Sequence, residues 1–84
     1  MGYRLLISIE VVEFMERLRP GVRKMLRGTI EAIGQDPIRY SDAADYDQTG
    51  RRLEIAITGD FALTYWIDDA DQQVKILDIH AADR

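Results

Sequence analysis

Two alternating runs in the second half of the chain constrain the fold most. Leu53, Ile55 and Ile57 fall on every second position, and so do Phe61, Leu63, Tyr65 and Ile67. A period of two belongs to a strand, because successive side chains leave a pleated backbone on opposite sides. Gly59-Asp60, between the runs, is a two-residue hairpin signal, so the strands should be antiparallel neighbours. The Leu53/Ile55/Ile57 and Phe61/Leu63/Tyr65 sides are expected to be buried, with Glu54 and Trp66 on the opposite, open side. Asp68-Asp69-Ala70-Asp71 makes the next turn. Val74 to Ile79 is apolar at both parities, which suits a strand in the interior of a sheet.

The first half has a different period. Tyr3 to Ile7 reads as a short covered strand, and Ser8 stands where a helix N-cap would be. Val11, Phe14, Met15 and Leu18 then recur at three- and four-residue spacing, predicting a helix over about 9–18. Pro20 opens a second helix, in which Val22, Met25, Leu26, Thr29, Ile30 and Ile33 repeat the period. Gly34 is expected at the left-handed C′ position, with Asp36-Pro37 as a stop. Residues 38–50 lack a period, hold Asp42, Asp45, Asp47 and Gly50, and read as an acidic loop. The expected fold is α+β, in the order β-α-α-β-β-β, with a helix hairpin packed on one face of a mainly antiparallel sheet. Residues 1–84 are expected to form a single domain.

Composition excludes several classes. Without cysteine there is no disulfide, thiolate metal site or thiol nucleophile, and a cytoplasmic protein is the default expectation. Leu5-Leu6-Ile7-Ser8-Ile9 is too short to span a bilayer and lacks the features of a signal peptide. No Gly-rich phosphate loop, Ser/His/Asp arrangement or metal-ligand cluster is seen, so no cofactor and no metal are expected. Charge is segregated: residues 1–34 hold six basic groups against four glutamates, and the rest holds five basic against eleven acidic ones. Electrostatics therefore favour the first half for any phosphate contact.

The order of elements and several local patterns resemble the RelE/ParE toxins of bacterial type II toxin–antitoxin pairs over nearly the whole chain. The resemblance rests on Ile33-Gly34-Gln35-Asp36-Pro37 after the helices, on Gly59-Asp60-Phe61-Ala62-Leu63-Thr64-Tyr65-Trp66-Ile67-Asp68, and on Val74-Lys75-Ile76-Leu77-Asp78-Ile79-His80. It implies a RelE-like fold and an antitoxin partner. RelE-like members cut messenger RNA in the ribosome, with Lys and Arg on phosphate and a Tyr, His or Glu moving the proton. Against that pattern this chain has Ala62 where an arginine is usual in the hairpin strand. Arg51, Arg52 and Glu54 stand where lysines are expected, and the arginine usual after the last strand is absent or displaced to Arg84. Losing one preorganised donor typically costs about 10²–10³ in rate.

Two functions stay open. One is a ribosome-dependent mRNA endoribonuclease with an incomplete basic site, in which His80, Glu54 and Arg52 are catalytic while Arg51, Trp66 and Arg84 bind substrate. The other is a non-catalytic binding module: a ParE-like topoisomerase inhibitor, or a degenerate homologue that only pairs with a partner. Each residue has a plainer reading. His80 is the sole histidine and fits a surface position; Asp78 either orients it or pairs with Lys75 or an arginine. Arg51 and Arg52 suit protection of a sheet edge. Trp66 either stacks on a nucleobase or is covered by a partner chain or by the acidic loop. Arg17, Arg19, Arg23, Lys24 and Arg27 read as solvated, or as paired with Glu13, Glu16 and Glu31.

Overall fold

A computed structural model describes residues 2–82, so the expectation for Arg84 lies outside the described residues. The elements are β1 (Arg4–Ile7), α1 (Ile9–Glu16), α2 (Pro20–Gln35), β2 (Ala43–Tyr46), β3 (Arg52–Thr58), β4 (Phe61–Asp68) and β5 (Gln73–Ala81). They build a five-stranded sheet in the order β1-β5-β4-β3-β2. Only β1 and β5 run parallel; the other neighbours are antiparallel. Both helices lie on one face, where Val11, Met15, Leu26, Ile30 and Ile33 meet Ala56, Leu63, Tyr65, Val74, Ile76 and Ile79. Phe14 and Phe61 extend this core in an edge-to-face contact with centroids 6.0 Å apart.

Ser8 caps α1 as expected, its Oγ accepting from the Val11 N–H at 3.3 Å. Gly34 does not serve as a C′ glycine. It lies inside α2, and Asp36 closes the helix with an extended φ of −150°. The reason for glycine is packing: a Cβ at Gly34 would stand 2.9 Å from Leu5 Cγ, and the Tyr3 N–H donates to the Gly34 carbonyl at 2.7 Å. Glycine thus lets β1 approach α2.

Part of the expected loop 38–50 is a strand. Ala43–Tyr46 pairs with β3 from Ala43↔Ile55 to Tyr46↔Arg52, although all four of its residues are exposed. With neither face buried, the segment has no apolar alternation to display, and its conformation is set by hydrogen bonds to β3. Asp42 continues the pairing: its N–H donates to Ile55 O at 2.8 Å, and its carboxylate accepts from the Ile57 N–H at 2.7 Å.

The buried side of β3 is opposite to that expected. Glu54 and Ala56 face the helices, while Ile57 is 50% exposed. The hairpin explains this. A two-residue turn at Gly59-Asp60 pairs Thr58 with Phe61, so Ala56 meets Leu63 and Glu54 meets Tyr65. Once the bulky Leu63 and Tyr65 point to the core, the even positions of β3 must follow them. Leu53, Ile55 and Ile57 go to the other face.

β5 carries a bulge. Thr64 pairs with Asp78 and Tyr65 with Ile76, which leaves Leu77 as the extra residue. Ser8 fastens it, its N–H donating to Ile76 O at 3.0 Å and its Oγ to Leu77 O at 3.3 Å. The bulge switches parity, so Val74, Ile76 and Ile79 all reach the core. This is why the segment reads as apolar on both sides.

Candidate nucleic-acid interface on the open sheet face

The face without helices is built from what the register leaves there. Across β4 and β5, Trp66 pairs with Lys75, Thr64 with Asp78 and Ala62 with His80. Without the bulge, Asp78 and His80 would share the side of Val74 and Ile76. With it, they join Lys75 and Trp66.

Trp66 lies between two cations. The Arg51 guanidinium carbon stands 4.0 Å from the centroid of its ring and the Lys75 ammonium 4.6 Å. Such contacts are worth about 0.5–2 kcal/mol each. Neither cation is locked by a carboxylate: Arg51 to Asp47 and Lys75 to Asp68 are both 3.9 Å. Asp47 is engaged elsewhere, accepting from the Thr49 hydroxyl at 2.6 Å and from the backbone N–H groups of Thr49 and Arg51 at 2.8 and 3.0 Å. Foremost the Thr49 hydroxyl holds the Asp47 carboxyl below the usual range. On the same face His80 Nδ1 and Asp78 Oδ2 are 2.9 Å apart. That contact orients the ring and leaves Nε2 without a partner among the described residues.

Three candidates therefore meet on this face: His80, Trp66 and Arg51. Asp78 pairs with His80, not with Lys75. Lys75 is a further candidate on this face, one that sequence reasoning named only as a possible ion-pair partner of Asp78. Its signal was present, since a β5 residue opposite Trp66 must share its side.

Arg52 and Glu54 are not part of this group. Both lie on the helix side, where Arg52 Nε donates to Glu54 at 2.8 Å and the Ser41 hydroxyl donates to it at 2.6 Å. Burial alone would raise the Glu54 pKa, but the bonds from Ser41 and Arg52, with the charge of Arg52, outweigh it and lower the carboxyl below its ordinary value. In turn Glu54 raises Arg52. A carboxylate held ionised by two donors is a poor proton acceptor, and this pair braces the start of β3 against Ser41. Tyr65 is structural too: it is fully buried, its hydroxyl donates to Pro37 O at 2.6 Å, and burial pushes its pKa well up. Among the described residues, no three His, Cys, Asp or Glu are grouped to hold a metal, and no helix is long and apolar enough to cross a membrane.

No family model matches the chain, and no curated protein matches it significantly in sequence. Solved structures match in shape. The toxin–antitoxin complex RelBE2 from Mycobacterium tuberculosis superposes with a TM-score of 0.82 at 18% identity, over 96% of this chain and 99% of that one. The archaeal RelE–RelB complex from Pyrococcus horikoshii OT3 gives 0.83 at 23% identity, over 100% and 99%. This chain has the RelE fold. The isolated RelE toxin of Escherichia coli adds a third match, at 0.77 and 16% identity over 99% and 87%. The RelE fold accounts for the helix hairpin on a mainly antiparallel sheet that the motifs implied. In this RelE-fold chain Ala62 stands directly across from His80, where the resemblance leads one to expect a nearby arginine.

Proposed function

We propose that the chain is the toxin-like subunit of a toxin–antitoxin pair and that it takes a single strand of RNA on its open sheet face, in the cytoplasm where ribosomes present messenger. One observation supports this most: the β5 bulge delivers the His80–Asp78 pair to the same uncovered face as Arg51, Trp66 and Lys75. Arg51 and Lys75 would hold phosphates. His80, oriented by Asp78, would take the proton of a ribose 2′-hydroxyl, whose oxygen attacks phosphorus as the 5′-oxygen leaves and takes a proton from water. Ala62 leaves that charge without a preorganised cation beside it, so turnover should be slow, by about 10²–10³ per missing donor. The partner would be an antitoxin, as in the two RelE–RelB complexes that share the fold.

The test is expression of the chain alone with transcripts mapped at codon resolution. Cuts at ribosome-bound codons that vanish in His80→Ala support the nuclease. A second reading, a binding module without catalysis, draws on the same Ala62 and on the withdrawal of Arg52 and Glu54 to the helix side. It predicts intact transcripts. Growth arrest with intact transcripts would point to a topoisomerase target, and no growth effect to a silent partner-binding subunit.

A further inference from the structure

β1 stands at one end of the sheet, with β5 on its inner side. The Arg4 N–H donates to Gln72 O at 2.9 Å and the Ser8 N–H to Ile76 O at 3.0 Å, so the even positions turn their backbone groups to β5. Leu5 and Ile7 therefore turn theirs outward, along the free edge. Tyr3, turned the same way, gives its N–H to Gly34 O. Strand edges are commonly guarded by charge, and the opposite edge is: β2 contains Asp45, with Asp42 and Asp47 at its ends. β1 has only Arg4, and Leu6, Ile7, Ile9 and Val12 are all exposed around it. On the helix side this edge opens into a groove of about 470 Å³ lined by Leu5, Ile7, Val12, Met15 and Ile30. Glu16, Arg23, Arg27 and Glu31 stand on the walls of that groove, and none of the four makes an ion pair with a described residue. A bare strand edge beside an apolar groove is a surface built to associate.

We propose that this edge pairs with the same edge of a second copy of the chain, in a two-fold dimer that joins two five-stranded sheets into one. Charge and register both single out a copy of this chain as the occupant. Two carboxylates and two guanidiniums in one groove cancel, so the groove sets up no field that would select an acidic or a basic partner. A two-fold axis instead brings Glu16 and Glu31 of one copy toward Arg23 and Arg27 of the other, and each unpaired group meets its opposite. Register agrees with this. With the axis at Leu6, Leu5 of each copy lies across from Ile7 of the other, and in an antiparallel pair the outward N–H of each bonds the outward carbonyl of its opposite. Residues paired this way share a side of the sheet, so Leu5 and Ile7 of both copies close the two grooves over the seam while Leu6 meets its own copy on the open side. Both helix layers stay on one side, and the open face with Trp66 and His80 stays uncovered.

The experiment is sedimentation equilibrium of the whole chain from micromolar to millimolar concentration, with circular dichroism as the check on folding. The wild-type mass should rise from that of a monomer to twice that value and stop there. Ile7→Lys, at an exposed position, sets an ammonium on the edge and should hold the chain at the monomer mass. Arg23→Glu with Arg27→Glu makes the groove wholly acidic, and Glu16→Arg with Glu31→Arg makes it wholly basic. Each of these double variants should be monomeric alone, and an equimolar mixture of the two should recover the dimer, a recovery that loss of folding cannot produce. A wild type that stays monomeric at every concentration would overturn the proposal and leave the groove to the antitoxin. So would a folded Ile7→Lys variant that dimerises like the wild type, a mixture that stays monomeric, or a mass that climbs past two copies.

Discussion

The two faces of the sheet use the same strands to opposite ends. On the helix side, charge is admitted only when satisfied: Glu54 accepts from Ser41 and Arg52, and Tyr65 donates to Pro37. On the open side, the carboxylates nearest Arg51 and Lys75 are 3.9 Å away, and the cations rest on Trp66 instead. Groups with all their bonds made are structural. Groups held loosely by a ring, with a carboxylate just out of close contact, remain available to a ligand.

That contrast breaks most easily by truncation. Leu63→Ala on the helix side, where the side chain is fully buried, should cost about 2–5 kcal/mol in urea unfolding. If Trp66→Ala on the open side costs as much, the faces do not differ as argued. Removing the Glu54 carboxylate should cost less, about 1.5 kcal/mol, the low end for a charged hydrogen bond because Arg52 is largely exposed. Glu54 also carries a pH signature. Its folded pKa lies below the unfolded value, so its contribution is complete above about pH 4.3 and is lost as pH falls through the lower folded value. Glu54→Gln should make unfolding less sensitive to acid in that window. Tyr65→Phe removes one buried hydrogen bond to Pro37 and should cost about 1 kcal/mol. Smallest is Lys75→Ala, which should cost about 0.5 kcal/mol, the low end for an exposed cation–π contact, while weakening RNA binding.

Much of the fold was legible because its signals were local. The Ser8 cap, the helix period, the Gly59 turn and the β4 alternation each announce one element within a few residues. The failures were relational. The buried side of β3 is not decided by Leu53, Ile55 and Ile57, which are the more apolar set, but by the turn that ties Thr58 to Phe61. β2 exists because β3 offers it hydrogen bonds, and its sequence shows no period. The site suffered from the same blind spots. His80 and Trp66 were singled out by residue type, and they share a face only because Leu77 bulges out of register. Glu54 was misplaced with its strand, and Lys75 was read only as an ion-pair partner until its neighbour across the sheet was known.

Trp66 is the sole tryptophan, so its emission reports on the open face alone. Titrating a short single-stranded oligoribonucleotide into the chain should pull Arg51 and Lys75 toward phosphate and shift that emission, and the shift should disappear in Arg51→Ala with Lys75→Ala while the variant stays folded, destabilised by only about 1 kcal/mol for its two lost cation–π contacts. Emission that does not move while the oligonucleotide is bound would place the bound strand elsewhere and contradict the account.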